Sequence, residues 1–269
     1  AWTTGDSYVI PTGNDYTSNI VPLRGDSTSP IGWDSLTMAA GRLWVAGNPQ
    51  EHNTIYFSQS LFTDGDLGFN RMYQLADPLN ALDSVAVDTD GGSIRITGAI
   101  NIKTLTDFRG GVLVFAENGV WFIRGSGGVF LATDFSVDKI SSDGAVSSGG
   151  VVSVEDAIIY FGFSNIYVLS LKDVDLAPST TVISTKIKEL YNSIPLASKK
   201  SSSAIYEPTS KKVYFSTNFT YPSWLLPTNP ERQPTMSRDF LIFDTRLQSW
   251  YKHSLTDDED GSKVAIGTM

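Results

Sequence analysis

The stretch of residues 112–124 constrains the fold more than any other part of this sequence. It reads VLVFAENGVWFIR, and its two apolar runs flank Asn118 and Gly119. Asn-Gly is the pair that best adopts the positive φ angles of a two-residue hairpin turn, so the sequence predicts a β-hairpin that turns at Asn118-Gly119. Both arms are apolar on both faces, whereas a hairpin with one face in water alternates. Each face of this hairpin must therefore be covered by other parts of the protein.

Large aromatic side chains in predicted strands are the candidates for the core. Phe115 lies in the first arm of the hairpin and Trp121 in the second, and we predict that both are buried. Trp250 begins a later predicted strand and is assigned the same structural role. The chain has 14 Phe, 11 Tyr and 6 Trp, many of them within β-branched runs, and this composition favours strands along the whole chain.

Short strands separated by turns are predicted along most of the chain, and only one segment has helical spacing. In residues 185–192 the apolar side chains recur as on one helix face, with Ser184 as the predicted N-cap and Pro195 as the stop. One short helix among many strands predicts an all-β protein. The other predicted strands are residues 7–10, 42–47, 54–58, 84–88, 93–97, 151–154, 157–162, 166–171, 203–206, 211–217, 240–243, 250–255 and 264–266.

The spacing of the strand groups favours a β-propeller-like array of antiparallel blades. The groups begin near residues 42, 84, 151 and 203, a loose period close to the roughly 40 to 50 residues of a propeller blade. A blade packs both faces against its neighbours, which explains strands that are apolar on both faces, whereas a two-sheet sandwich covers one face of each sheet. The visible strands fill about four blades, so a closed ring needs strands from outside this segment.

Composition divides the chain into two predicted regions. Residues 1–40 are rich in Thr, Ser, Gly, Pro and Asp, and we expect a loop-rich segment that belongs to an inserted or a neighbouring domain. Residues 41–269 are expected to form the propeller-like domain. Because the sequence starts with Ala1 and not Met, we expect it to be part of a longer chain.

Charge and cysteine content exclude several kinds of site. The formal net charge is −9, which argues against gripping nucleic acid through its phosphates, because that requires clustered Lys and Arg. The sequence has no cysteine, which excludes disulfides and thiolate chemistry. No apolar run approaches the roughly 18 residues of a membrane-spanning helix.

The motifs of catalytic and metal sites are incomplete in this sequence. His52 lies in a polar loop and His253 at the end of a strand, without the spacing of metal ligands. Residues 88–91 (DTDG) and 64–66 (DGD) begin like a calcium loop but lack its later ligands. A Ser-His-Asp triad stays open, because its order in sequence varies. We predict no catalytic activity, no metal and no cofactor.

Two stretches together resemble the tail nozzle proteins of short-tailed bacteriophages, a family also called tail tubular protein B. RLWVAGNPQEHNTIYFSQS (residues 42–60) is similar to a family segment with an arginine-led strand, an AG-x-P loop and a YFS strand. VLVFAENGVWFIRGSGG (residues 112–128) is similar to the LLVFTENGEW hairpin of that family. Residues 137–162, 183–195 and 240–255 also fit the family, so the resemblance covers roughly residues 41–255.

The resemblance implies a structural protein of the virion tail. It implies a homo-oligomeric ring, a hexamer in that family, that contacts tail adaptor and tail fibre proteins and meets the host surface at its distal end. DNA would pass through the lumen without tight binding, and an acidic wall favours this because like charges repel. The lysine pairs 199–200 and 211–212 are expected to face outward.

A second function stays open on sequence grounds. The chain is alternatively a carbohydrate-binding or carbohydrate-processing propeller of a tail-associated receptor protein. Trp2, Trp33 and Trp224 lie in polar, loop-like segments, where their rings are candidates for stacking on sugars. A ring of copies favours the nozzle, whereas sugar binding by an isolated monomer favours the receptor protein.

Overall fold

The computed structural model describes residues 33–49, 51–60, 87–171, 178–219, 237–256 and 264–268. Within these residues the strands form four antiparallel sheets, and in every sheet neighbouring strands are consecutive in the chain. The predicted all-β class is confirmed. The chain divides into two compact units, Ala1–Lys139 and Ile140–Met269, and the division falls within the last strand of the second sheet.

The first sheet contains a strand that lies within the predicted loop-rich segment. Residues 35–39 form this strand, whereas residues 1–32 lie outside the described residues. Of the strands predicted at 84–88 and 93–97, residues 84–86 also lie outside the described residues. The strand at residues 92–95 pairs with residues 54–57, which places Ile94 opposite Ile55 in the core. The strands are β1 (Ser35–Ala39), β2 (Arg42–Ala46), β3 (Thr54–Phe57) and β4 (Gly92–Arg95).

The second sheet contains the predicted hairpin, with its turn one residue earlier than expected. Ala116 pairs with Gly119, so Glu117 and Asn118 form the turn and Gly119 is already in the strand, with an extended φ of 159°. A slip of one residue would move every side chain to the other face. In the observed register Glu117 lies in the turn, and Arg124 lies at the exposed end of the second hairpin strand. The strands are β5 (Ile102–Phe108), β6 (Gly111–Ala116), β7 (Gly119–Arg124) and β8 (Ser136–Ser141).

Both faces of the β6–β7 hairpin are buried, as its sequence requires. One face joins the apolar side chains of the first sheet in a single core, and Trp121, 5% exposed, lies there. Phe115 lies on the opposite face and is fully buried. The hairpin side chains on the first-sheet face are Val112, Val114, Ala116, Trp121 and Ile123, and they share the core with Trp44, Ile55, Phe57 and Ile94.

The second unit has the same construction of two sheets made of consecutive strands. Its predicted strands 151–154 and 166–171 are found with those bounds, and 157–162 is one residue shorter. The third sheet has the strands β9 (Val151–Val154), β10 (Ala157–Phe161), β11 (Ile166–Leu171) and β12 (Pro178–Val182). The fourth sheet has β13 (Ser203–Glu207), β14 (Lys212–Phe219), β15 (Ser237–Asp244), β16 (Ser249–Thr256) and β17 (Val264–Thr268).

The predicted helix is present, but Pro195 does not end the helical region. A 3-10 turn (Thr185–Ile187) leads into α1 (Lys188–Ser193), and a second short helix, α2 (Leu196–Lys200), starts directly after Pro195. Proline suits this place because it lacks only an N–H that a helix start leaves unpaired. In the part of the chain that the structure describes, no helix is long and apolar enough to cross a membrane.

Ser184 precedes the helical region without capping it through its side chain. Its hydroxyl accepts a hydrogen bond from the Ile166 N–H at 3.0 Å, so it ties the start of β11 to the helical segment. Trp250 occupies the core of this unit, 4% exposed, and its indole N–H donates to the Ile183 carbonyl at 2.9 Å. The core that it shares includes Ile159, Phe161, Ile187, Tyr191, Val213, Phe215, Leu241 and Phe243.

Truncation of the hairpin core should destabilise the protein strongly. Phe115→Ala and Trp121→Ala should each lower the free energy of unfolding by about 3 to 5 kcal/mol, because each leaves a cavity where a large buried ring was packed. Leu247→Ala, at a turn position that is 58% exposed, is the control and should change it by less than about 0.5 kcal/mol. Denaturant unfolding measures all three. A loss below about 1 kcal/mol at Trp121 would show that its face is not a packed interface.

Candidate functional site

Asn118 lies in the hairpin turn, as predicted, and its side chain also bonds to a neighbouring turn. Its side-chain oxygen accepts from the Ile100 N–H at 2.9 Å and its amide donates to the Gly98 carbonyl at 2.7 Å. Glu117 adds a backbone bond to the Ile100 carbonyl at 2.9 Å and an ion pair with Lys103 at 3.1 Å. The turn of the β6–β7 hairpin is therefore fastened to the turn that precedes β5, and Asn118 serves as a bracket between the two.

The most unusual polar site in the first unit is the buried guanidinium of Arg42. Arg42 opens β2 and is 1% exposed. Its guanidinium donates to the carbonyls of Ser58 at 2.6 Å and Thr89 at 3.4 Å, and also to those of Asp88 and Asp90. One cation thus binds the backbone at the end of β3 and the backbone of the segment before β4. We call these four carbonyls with Arg42 the Arg42 cage.

Aromatic rings close the Arg42 cage on its apolar side. The guanidinium lies 5.5 Å from the ring centroid of Phe57 and 5.4 Å from that of Phe130, both within the range of cation–π attraction. Burial lowers the pKa of Arg42, and the nearby charges of Asp90 and Asp88 oppose this. Arginine stays charged under such conditions, so the cage holds a permanent cation.

The Arg42 cage also explains why an arginine-led strand and a YFS strand occur together. Ser58, the last residue of YFS, accepts the guanidinium bond through its carbonyl, and its hydroxyl accepts from the Leu43 N–H at 2.9 Å. The two ends of this motif therefore contact each other in space. The sequence indicated the arginine but not its role, because three of its four carbonyl partners lie in the distant 88–90 segment.

The candidate acidic and histidine sites serve other purposes or lie outside the described residues. The Asp90 carboxylate accepts from the Val87 N–H at 2.8 Å, which closes a turn, and the Asp88 carboxylate accepts from the Thr133 hydroxyl. Residues 64–66 and the side chain of His253 lie outside the described residues, and His52 is exposed. Among the residues described, no group of three or more His, Cys, Asp or Glu side chains could hold a metal ion.

Lys199 contradicts the expectation that the lysine pairs face outward. It is 4% exposed on α2, its ammonium donates to the Phe163 carbonyl at 2.9 Å, and it lies 4.0 Å from the ring centroid of Tyr191. The Tyr191 hydroxyl donates to the neighbouring Gly162 carbonyl. Together they fasten the loop between β10 and β11, and burial lowers the pKa of Lys199. No local pattern distinguished this lysine from the exposed Lys200.

Comparison with known proteins adds no relative to this description: neither the protein-family models nor the curated proteins contain a match to the sequence. The two buried cations hold backbone carbonyls of loops in place. Arg42 and Lys199 thereby fix the connections between strands.

Removal of the Arg42 cation should destabilise the first unit. Arg42→Met keeps an unbranched apolar stem but leaves buried carbonyls without a donor, each of which costs about 1 to 3 kcal/mol, so we expect a loss of about 3 kcal/mol or more. Arg42→Lys should fall between this variant and wild type, because an ammonium has three donors and no planar fork. Arg95→Met, exposed on β4, is the control.

Amide hydrogen exchange locates the effect of these Arg42 variants. The Ser60 N–H donates to the Thr89 carbonyl and the Asp90 N–H to the Val87 carbonyl, and both should exchange faster in Arg42→Met. Unchanged exchange at these two amides, with unchanged stability, would show that the cage does not hold this segment.

The buried Lys199 makes stability depend on pH with a defined sign. Because the folded pKa is lowered from 10.5, the unfolded state binds more protons between the two pKa values, and stability rises with pH in that window. The free energy of unfolding of wild type relative to Lys199→Met should therefore increase as pH rises through this window towards 10.5. Lys200→Met, at the exposed neighbour, is the matched control variant. A falling difference for Lys199→Met would contradict the assignment.

Proposed function

We propose that this chain is a structural subunit of the tail nozzle of a short-tailed bacteriophage and that its four sheets are blades of a β-propeller-like domain. The observation that carries the proposal is the position of the resembling stretches in the fold. Residues 42–60 include β2, β3 and the Arg42–Ser58 contact, and residues 112–128 include the doubly buried hairpin. The resemblance therefore rests on residues that determine how these sheets are built.

The construction of the sheets supports the propeller reading. A propeller blade is a sheet of four antiparallel strands that packs on its neighbours through both faces. Three of the sheets have four strands and the fourth has five. In every sheet, neighbouring strands are consecutive in the chain. β6 is buried at every residue, and in each unit the cores of two successive sheets merge.

The placement of the positive charges agrees with a wall along which DNA can slide. The net charge is −9, and the lysine pairs 199–200 and 211–212 are local concentrations of positive charge. Lys199 is buried against a carbonyl and a ring, and Lys211 forms an ion pair with Glu155. A buried ammonium and one in an ion pair attract phosphates less than a free one does. A ring of such subunits would therefore hold the duplex weakly.

The carbohydrate-binding alternative gains no specific support from the described residues. Of the tryptophans on which it rests, Trp33 packs edge-on against Tyr56 with ring centroids 5.2 Å apart. Trp2 and Trp224 lie outside the described residues. Sugar binding is therefore treated as one possible result of the experiment on the proposed function.

Location in the virion tests the proposed function directly. Immunogold labelling of particles of the phage that encodes this chain, with antibodies against the purified chain, should place gold at the tail, and preimmune serum is the control. Duplex DNA should bind the purified chain weakly at about 50 mM salt, because clustered cations are lacking. Labelling absent from the tail, or tight and salt-sensitive duplex binding, would refute the proposal. Sugar binding by a monomer would favour the receptor protein.

A further inference from the structure

The single Asn-Gly pair of the sequence, Asn118-Gly119, lies at the turn of the β6–β7 hairpin. Asparagine is among the thermolabile residues. A following glycine makes it most prone to lose its amide, because Gly119 has no Cβ that hinders the approach of its backbone nitrogen to the Asn118 side chain. Asn118 is partly exposed, so water reaches it. The reactants of a deamidation are therefore together at this turn.

Deamidation is a reaction of these two residues with water alone. The Gly119 nitrogen gives up its proton and attacks Cγ of Asn118, so that an N–C bond forms, the Cγ–Nδ2 bond breaks and ammonia leaves. Water then opens the cyclic imide at either of its carbonyls and yields aspartate or isoaspartate. The first step requires the Asn118 amide to fold back over the Gly119 nitrogen, so its rate depends on the freedom of this side chain.

The fold holds the Asn118 amide away from the Gly119 nitrogen. The side-chain oxygen accepts from the Ile100 N–H at 2.9 Å, and Nδ2, the leaving group of the reaction, donates to the Gly98 carbonyl at 2.7 Å. Gly119 is buried and pairs with Ala116, so its peptide group is held in the sheet as well. Rotation of the amide towards Gly119 would pull it away from both of its partners.

We propose that Asn118 is a latent deamidation site, which the fold keeps unreactive and which reacts when the hairpin turn opens. Both products prevent the turn from being fastened again. An aspartate at this position has no N–H for the Gly98 carbonyl and places a negative charge beside that oxygen. An isoaspartate adds a methylene to the main chain within the turn, where the pairing of Ala116 with Gly119 leaves room for two residues only. Prolonged opening of the hairpin thus becomes a permanent defect.

Deamidation of the folded and of the unfolded wild-type chain tests the protection. Both samples are incubated at one pH and temperature, without and with denaturing urea, and Asn118 is followed by peptide mass spectrometry. The folded chain should react at least about tenfold more slowly, because the two hydrogen bonds must break first. A peptide of residues 116–120, which should react equally fast with and without urea, is the control for the denaturant. Equal rates in the folded and the unfolded chain would overturn the inference.

A variant of Gly98 tests whether the bonds to the neighbouring turn cause the protection. Gly98 has a φ of +87° and open space where a Cβ would lie, so Gly98→Ala strains this backbone without a clash. Its displaced carbonyl should hold Asn118 less well, and deamidation of the folded chain should be at least about threefold faster. Gly127→Ala is the matched control, because its site is equally open and its φ lies outside the left-handed region.

Urea unfolding shows whether each glycine variant is folded under the conditions of the assay, and the comparison of folded with unfolded wild type requires no variant. A folded Gly98→Ala chain that deamidates at the wild-type rate would contradict the role of the Gly98 carbonyl and overturn the inference.

The effect of the reaction on the fold is measured with Asn118→Asp, which reproduces the aspartate product. Its unfolding midpoint should be lower than that of wild type, because the bond to Gly98 is lost. Asn192→Asp introduces the same charge at an exposed residue of α1 and should change the midpoint less. An Asn118→Asp chain as stable as Asn192→Asp would show that the product fastens the turn again and would overturn the permanent defect.

Discussion

The burial of both faces of the central strands is the constraint on which this structure depends. β6 has no exposed residue, and β7 has one, at its end. A sheet with such strands exposes a continuous apolar surface when it stands alone, so it is stable only between covering layers. In each unit two successive sheets share one core, and Trp44, Trp121 and Trp250 fill these cores with large buried rings. A pair of packed sheets, and not a single sheet, is therefore the folding unit.

Loops that connect packed sheets bring backbone carbonyls into apolar surroundings, and this protein satisfies several of them with buried cations. Arg42 binds carbonyls at the end of β3 and in the segment before β4, and Lys199 binds one in the loop after β10. A carbonyl left without a donor in such a place costs free energy, and a charged donor binds more strongly than a neutral one. Arg42 also lies near the rings of Phe57 and Phe130, and Lys199 near the ring of Tyr191, at distances that allow cation–π attraction.

The sequence predicted strands wherever both faces are buried and missed strands at sheet edges, where burial is partial. β6, β7, β10 and β11 are rich in Val, Ile and aromatic residues and were found, whereas β1, β5, β8 and β12 (SLTMA, IKTLTDF, SVDKIS, PSTTV) lie at sheet edges and are partly exposed. The turn of the hairpin moved by one residue because tertiary bonds of Asn118 and the register of buried rows outweigh the local Asn-Gly preference. The roles of Arg42 and Lys199 depend on distant carbonyls, which no local pattern encodes.

The central claim is that sheets of this kind are stable only in pairs. Native-state hydrogen exchange in low denaturant tests it most directly, because it measures the opening free energy of each strand separately. The account predicts that the amides of β2 and β3 and those of β6 and β7 share one opening free energy, since neither sheet of the first unit survives the loss of the other. Protection that persists in β6 and β7 after β2 and β3 have exchanged would contradict it.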